Sequence, residues 1–272
     1  MPRLSISEVT TYSWSFQSDV RTFARYGVPA MGIWRQKLAD YGEEKGAELL
    51  AETGMDVSTV YFAGGFTGHD GRSFQEAVDD AEQAIETASL LQAECLTIYT
   101  GARAGHTKSH AQRLMQMAFE QLLPVAEVND VVLALEPMHP RAGTDWTFMT
   151  DLEATLRYVE SMGSHYFKMA IDTYHWGRSR KFYSLIRQLV PQLAVVFLGD
   201  ASGSPDEEQN RCLLGDGSIS LERMVTALLE NGYDGCFDVR LTGEELESLT
   251  YSQIIEHSCR FYEDLIAAVK VD

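Results

Sequence analysis

Residues 131–136 are Val131-Val132-Leu133-Ala134-Leu135-Glu136, five apolar residues in succession that end on a carboxylate. An uninterrupted apolar run is typical of a parallel strand that is covered on both faces, because a strand with one solvated face alternates apolar and polar residues. The runs FKMAID at residues 167–172 and LAVVFL at residues 193–198 have a similar character. The pattern indicates an α/β protein built on a buried parallel sheet.

Apolar runs alternate with longer amphipathic stretches along the rest of the chain. The predicted strands are residues 4–9, 30–34, 57–62, 95–100, 131–136, 167–172, 193–198 and 236–241. The predicted helices are residues 17–26, 35–53, 72–92, 109–128, 151–162, 181–189, 221–231 and 251–269. Eight βα units in a chain of 272 residues predict a (β/α)8 TIM barrel, with residues 1–272 forming a single domain. A doubly wound open sheet is the weaker alternative.

Composition excludes several classes of function. The chain has 40 acidic and 22 basic residues, and its net charge of −18 opposes binding to nucleic acid. No apolar segment approaches the roughly 18 residues that a membrane span requires, and the first residues do not resemble a secretory signal, so we expect a cytoplasmic protein without a membrane partner. None of the four cysteines lies in a C-x-x-C pair, which disfavours cysteine chemistry.

Carboxylates end two neighbouring strands of the predicted barrel. The loops after the strands form the active face of such a barrel, so Glu136 and Asp172 are expected to converge there. Two buried carboxylates repel each other and are costly without a partner, which implies a neighbouring cation. The alternative is that both are solvated acids at the ends of strands.

The second half of the chain resembles the sugar isomerase/epimerase family with xylose isomerase-like barrels. The residues that carry the resemblance are Leu135-Glu136-Pro137-Met138-His139-Pro140, Ile171-Asp172-Thr173-Tyr174-His175, Asn210-Arg211 and Gly215-Asp216-Gly217-Ser218-Ile219. The resemblance implies one divalent metal, commonly Mn²⁺, Mg²⁺ or Zn²⁺, held by Glu, Asp, His and Glu from the last four strands. It implies that Glu136 and Asp172 match the first two ligands, and that His175 and Arg211 match residues that contact the substrate.

The sequence departs from the family pattern at the other two ligand positions. Phe197 stands where the resemblance implies His, and Arg240 stands where it implies the second Glu. Phenylalanine offers no ligand atom, and arginine is always protonated, so it cannot act as a base. We therefore expect no cofactor, with Arg240 replacing the metal by binding Glu136 or Asp172 and Phe197 filling the volume of the missing imidazole. Retention of a metal, with His175 or Asp200 as substitute ligands, is the alternative.

Other residues at predicted strand ends and loops are candidates for ligand contact. Trp34 ends the second strand, and His106 lies after the fourth, close to His110. Trp34 is equally compatible with core packing, and His106 and His110 lack the glutamate of an H-E-x-x-H zinc motif. Asp200, at the end of the seventh strand, is a further candidate for substrate binding.

The resemblance implies a sugar or polyol isomerase/epimerase that binds a small carbohydrate-like ligand, with Glu136 as the remaining acid/base and His175 beside it. A non-catalytic sugar-binding protein is the alternative from a different class. A DNA-repair endonuclease on a related barrel is a third interpretation, which the negative charge and the small number of histidines oppose. The sequence leaves the identity of the sugar, its phosphorylation and the formation of homo-oligomers open.

Overall fold

The computed structural model describes residues 2–269 and contains a closed barrel of eight parallel strands. The strands follow one another in chain order around the barrel, and β8 pairs with β1 to close it. They are β1 Arg3–Ser7, β2 Ala30–Trp34, β3 Asp56–Gly64, β4 Leu96–Tyr99, β5 Leu133–Leu135, β6 Phe167–Asp172, β7 Leu193–Leu198 and β8 Cys236–Val239. The predicted TIM barrel is confirmed, and the open-sheet alternative is wrong.

Helices connect successive strands around the outside of the barrel. They are α1 Phe16–Arg25, α2 Arg35–Tyr41, α3 Glu43–Thr53, α4 Phe74–Leu90, α5 Lys108–Val128, α6 Leu152–Met162, α7 Thr173–Trp176, α8 Arg180–Leu189, α9 Leu221–Glu230 and α10 Tyr251–Val269. Within residues 2–269, none of these helices is long and apolar enough to cross a membrane.

Local sequence signals explain where several helices begin. Ser73 and Glu76 form a capping box at the start of α4, with each side chain bonding the backbone N–H of the other residue. The Thr107 hydroxyl caps α5, and the Asp151 carboxylate caps α6. These caps fix the points at which the chain leaves the loops of the active face.

The helix predicted over residues 35–53 is two helices, and that prediction is wrong in one respect. Gly42 separates α2 from α3 with φ 102° and ψ 122°, a backbone conformation that glycine alone adopts without strain. The apolar periodicity continues through this break, which explains why it was not visible in the pattern.

The strand register directs several polar side chains into the barrel. Asp172 on β6 pairs with Phe197 on β7, which in turn pairs with Asp238 on β8. Paired residues on parallel strands share a face, and residues two apart along a strand point to the same side. Arg240 therefore follows Asp238 toward the mouth of the barrel, on the same side as Asp172 and Phe197.

Candidate active site

A buried guanidinium group lies between two buried carboxylates at the carboxyl ends of the strands. Arg240 Nη2 donates to Asp172 Oδ2 at 2.6 Å and also to Glu136 Oε1, while Arg240 Nη1 donates to Glu136 Oε2 at 3.1 Å. Glu136 and Asp172 have no exposed surface, and Arg240 is 2% exposed. The cation that two converging acids require is therefore present in the chain itself.

Phe197 packs against the flat face of this guanidinium. The Cζ atom of Arg240 lies 3.9 Å from the centroid of the Phe197 ring. A guanidinium stacked on an aromatic ring is attracted by the negative face of the π system, and its position is constrained on that side. The two residues that depart from the family pattern thus contact each other.

A second arginine contacts Asp172. Arg211 Nη2 donates to Asp172 Oδ2 at 2.9 Å, and its guanidinium lies over the Tyr174 ring at 4.3 Å. The backbone N–H of Tyr174 donates to the other oxygen, Asp172 Oδ1, at 2.7 Å. Gly199 makes room for this arrangement, because a Cβ atom there would lie 2.8 Å from Arg211 Nε.

The two carboxyl groups differ in their electrostatic surroundings. Burial raises the pKa of Glu136 above its ordinary value, although Arg240 opposes the shift. Burial also acts on Asp172, but there the guanidinium groups of Arg211 and Arg240 together hold the pKa below its ordinary value. Glu136 is accordingly the more basic of the two carboxylates.

His175 lies beside this cluster and is uncharged at neutral pH. Its Nε2 atom is 4.0 Å from Glu136 Oε1, too far for a hydrogen bond. Burial lowers the pKa of His175 to about 3. Neither ring nitrogen has a hydrogen-bond partner within residues 2–269, so His175 has both a donor and an acceptor available.

Tyrosine and other aromatic side chains, which no sequence motif predicts, complete the site. Tyr99 at the end of β4 donates to Glu136 Oε2 at 2.7 Å and accepts a hydrogen bond from Arg240 Nη1 at 3.0 Å. The hydroxyl groups of Tyr99 and Tyr61 are 3.1 Å apart. Phe62 packs tilted against the Tyr99 ring, and Trp146 packs edge-on against both Phe62 and Tyr99. Tyr99 ends an apolar run as Glu136 does, and this position was the signal that could have found it.

Asp200 has a different environment from the one expected of a substrate contact. Its Oδ1 accepts hydrogen bonds from the backbone N–H groups of Ala201 and Ile219, and its Oδ2 accepts from those of Gly215 and Gly217. Four backbone donors favour a role in holding the loop before α9 over one in ligand binding.

The two remaining candidates lie outside the buried cluster. Trp34 is half-buried at the end of β2, and its backbone N–H donates to Glu8 Oε2 at 2.8 Å. His106 Nε2 lies 3.1 Å from the Thr67 carbonyl oxygen, and its ring contacts the ring of His110. Trp176, next to His175, is buried and donates from its indole N–H to the Pro137 carbonyl oxygen at 2.9 Å.

Comparison with known proteins defines the family. The family described as xylose isomerase-like TIM barrel matches residues 20–265 of the chain. This chain belongs to that family. The family includes sugar isomerases and epimerases.

Individual relatives of this xylose isomerase-like barrel are distant in sequence. An inosose isomerase from Halalkalibacterium halodurans is 23% identical over 197 residues, which cover 70% of this chain and 68% of the relative. A Sinorhizobium meliloti 1021 protein of known structure has a TM-score of 0.88 and 23% identity, over 96% of this chain and 98% of its own. An IOLI protein with a bound zinc atom has a TM-score of 0.85 and 18% identity, over 98% and 99%. At these identities the solved structures establish the fold.

In the arrangement observed, arginine side chains already bind the carboxylates that a divalent metal would use. Glu136, Asp172 and His175 offer one ligand atom each within 4.8 Å of one another. The guanidinium of Arg240 already bridges the two carboxylates, however, and Arg211 binds Asp172 as well. A dication placed there would lie close to two cations, the guanidinium groups of Arg211 and Arg240.

Proposed function

We propose that this chain binds a small sugar or polyol at the carboxyl ends of its strands and acts on it as an isomerase-type enzyme that uses no metal. The contact of Arg240 with both Glu136 and Asp172 carries the proposal. A fixed guanidinium can stabilise negative charge that develops on a ligand oxygen, as a metal would, without coordinating it.

The proposed roles follow the surroundings of each residue. Glu136 is the acid/base, because its pKa is raised and Asp172 is held as a permanent anion by two arginines. His175 contacts the ligand through its free ring nitrogens, and Arg211 fixes Asp172 at the edge of the site. Trp34 and His106 remain candidates for contact with larger ligands at the rim.

The relatives suggest which ligands to test. They include an inosose isomerase, an L-ribulose 3-epimerase and a D-tagatose 3-epimerase-like protein. Inososes, L-ribulose and D-tagatose are all α-hydroxyketones, with a carbonyl group next to a carbon that carries a hydroxyl group. We propose this chemical class as the ligand.

A cytoplasmic location also stays a prediction.

A non-catalytic sugar-binding protein is the second candidate. The hydrogen bonds that the two carboxylates already accept favour this candidate. Glu136 accepts from Arg240 and Tyr99, and Asp172 accepts from two arginines and a backbone N–H group. Such a cluster could support the floor of a binding site without taking part in proton transfer.

Metal analysis and ligand binding together test the proposal. Purified protein is expected to contain no stoichiometric Mn, Mg or Zn, and its melting temperature should rise with at least one of the three α-hydroxyketones, since a ligand that binds only the folded state stabilises it. Turnover of that ligand after EDTA treatment supports the enzyme, and binding without turnover supports the second candidate. A stoichiometric, tightly held metal, or no binding of any of the three ketones, would contradict the proposal.

Restoring the family ligands should create a metal site. The double substitution Phe197→His with Arg240→Glu removes the guanidinium and supplies the Glu, Asp, His and Glu set that the family pattern implies. We expect calorimetry to detect tight Mn²⁺ binding to the double variant and none to the parent protein. Phe197→His alone, which keeps Arg240, is the matched control and should not bind. Equal Mn²⁺ affinity in the parent and the double variant would show that Arg240 does not replace the ion.

A further inference from the structure

The buried cluster contains one carboxylate with a free lone pair next to an uncharged imidazole. Glu136 Oε1 accepts one hydrogen bond, from Arg240, whereas Glu136 Oε2 accepts two, from Arg240 and Tyr99. A carboxylate oxygen has two acceptor positions, so Oε1 retains one. That same oxygen lies 4.0 Å from His175 Nε2. An atom placed about 3 Å from each is within reach of both groups.

Arg240, Asp172 and Phe197 cannot serve as a second base on the opposite side of the ligand from Glu136. Arg240 stands at the position of the second acid/base and stays protonated. Asp172 Oδ2 accepts from two guanidinium groups, and Asp172 Oδ1 accepts from the Tyr174 N–H. Phe197 covers one face of the guanidinium and carries no proton. Inversion at carbon by two bases needs a proton acceptor on one face and a donor on the other, and here the acid/base chemistry lies on one side.

Several buried nitrogens of the cluster have hydrogen-bonding capacity left for a ligand. Both ring nitrogens of His175 and the Nε atom of Arg240 are buried without a hydrogen-bond partner in the described chain. Leaving buried polar groups unpaired costs free energy, so such groups occur where a water or a ligand supplies the missing bonds. His175 Nε2, which lies near Glu136, and the cationic N–H of Arg240 can each bond a ligand oxygen, of which one becomes negative.

We infer that this site performs one-base isomerisation of an α-hydroxycarbonyl compound, moving the carbonyl group to the neighbouring carbon without inverting a stereocentre. The inference rests on the proposed function, since it assigns the reaction of that same site. An epimerase that inverts a carbon with two bases needs acid/base groups on both faces of that carbon, whereas this site offers Glu136 on one face.

The proposed reaction balances without a redox partner. Glu136 removes the proton from the carbon that bears the hydroxyl group, the C–H electron pair forms the C=C bond of an enediol, and the carbonyl π pair moves to its oxygen. Arg240 stabilises the charge on that oxygen. His175 Nε2 donates its proton to that oxygen and then takes the proton of the neighbouring hydroxyl group, whose oxygen becomes the new carbonyl oxygen as the C=C pair is released. Glu136 then returns its proton to the former carbonyl carbon, from the same face.

Isotope exchange in D2O tests the inference. EDTA-treated protein is incubated with L-ribulose, D-tagatose and an inosose, and each mixture is followed by NMR. For the ketone that binds, we expect the aldose or the shifted ketone, deuterium at a single stereochemical position, and no epimer. Formation of a C3 epimer, or activity that EDTA abolishes and Mn²⁺ restores, would overturn the inference. Binding without exchange would overturn it too while leaving the binding function standing, whereas absence of binding would reject the proposed function itself.

Two substitutions separate the roles of the acid/base and the imidazole. Glu136→Gln should lower both exchange and product formation by about 10²–10⁴-fold, since general acid/base groups typically contribute that much. His175→Gln should slow product formation much more than exchange at the reactant carbon, because Glu136 can still remove the proton. His165→Gln, at an exposed position before the start of β6, is the matched histidine control and should leave both rates unchanged. Equal losses of exchange and product in His175→Gln, at an unchanged melting temperature, would refute the assigned proton transfer between oxygens.

Discussion

At the scale of single residues, Arg240 determines the character of the site. Its guanidinium is almost fully buried, and it satisfies two carboxylates that would otherwise repel each other across the mouth of the barrel. A buried ion pair gains little net stability, because desolvation offsets most of the Coulomb attraction, but removing one partner leaves a buried charge without compensation. The chain therefore depends on Arg240 far more than the net energy of the ion pairs suggests.

Arg240→Met should lower the free energy of unfolding by about 3–5 kcal/mol, because Glu136 loses the guanidinium that compensates its charge. Asp172 keeps Arg211, so the loss falls mainly on Glu136. Urea denaturation at pH 7 measures the change. Arg240→Met combined with Glu136→Gln should recover part of the lost stability, since the uncompensated acid is gone. Equal losses in the single and double variants would indicate that the lost contacts of the arginine stem, and not its charge, matter.

At the same scale, the sequence predicts some site residues far better than others. Glu136 and Asp172 stand out because each is a charged residue at the end of an apolar run, and Arg240 because it stands where the resemblance implies a metal ligand. The structure brings the three side chains together. Tyr99 has a comparable position near the end of a strand, but its apolar ring makes it resemble the apolar residues before it, so its hydroxyl group is easily overlooked. The surroundings of Asp200 depend on the path of residues 215–219, and no residue pattern encodes which backbone N–H groups that path turns toward the carboxylate.

At the scale of helices and strands, apolar periodicity fixes which segments are regular, whereas their interruptions depend on backbone conformation. The strands at residues 30–34, 167–172 and 193–198 lie where the apolar runs predict them. The boundary between α2 and α3 depends on the φ of Gly42, to which side-chain periodicity is insensitive. The short helix α7, which carries His175, was also missed, because four residues are too few to show a helical period.

Gly42→Ala should lower the free energy of unfolding by about 1–3 kcal/mol, the usual cost of holding a residue with a Cβ atom in a sparsely populated region of φ/ψ space. Steric crowding adds little, since the nearest atom to the new Cβ would be Lys45 Cδ at 3.8 Å. Gly203→Ala is the matched control, because its φ is not positive and its Cβ would meet nothing within 4 Å. Chemical denaturation of both variants isolates the backbone effect, and similar losses in both would contradict it.

At the scale of the whole molecule, the barrel closes around a polar interior. Asp238 on β8 accepts hydrogen bonds from Ser5 on β1 at 2.6 Å and from Ser58 on β3 at 2.7 Å, all fully buried. Gly32 on β2 lies against this carboxyl group, since a Cβ atom there would be 2.7 Å from Asp238 Oδ2. The seam between the last and first strands is thus linked by a carboxyl group one layer below Arg240.

This carboxyl group should make the stability of the barrel depend on pH. Burial raises the pKa of Asp238 to about 6, against about 3.9 in an unfolded chain. Between these values the folded state binds more protons than the unfolded state. The contribution of Asp238 to the free energy of unfolding is therefore greatest below about pH 4 and falls as pH rises toward 6. The folded and unfolded pKa values differ by about two, and by pH 7 this difference corresponds to a loss of roughly 3 kcal/mol in the free energy of unfolding.

Asp238→Asn should remove that contribution, because the amide does not titrate while its oxygen can still accept from both serine hydroxyls. Urea unfolding at pH 4, 5, 6 and 7 measures the free energy of each protein, and the parent should lose about 3 kcal/mol relative to the variant across the series. The comparison cancels the other buried acids, which titrate in both proteins. Ser58→Ala, which removes one donor to the charged form, should extend the loss to higher pH. Parallel stability curves for the parent and Asp238→Asn would mean that Asp238 keeps an ordinary pKa in the folded barrel.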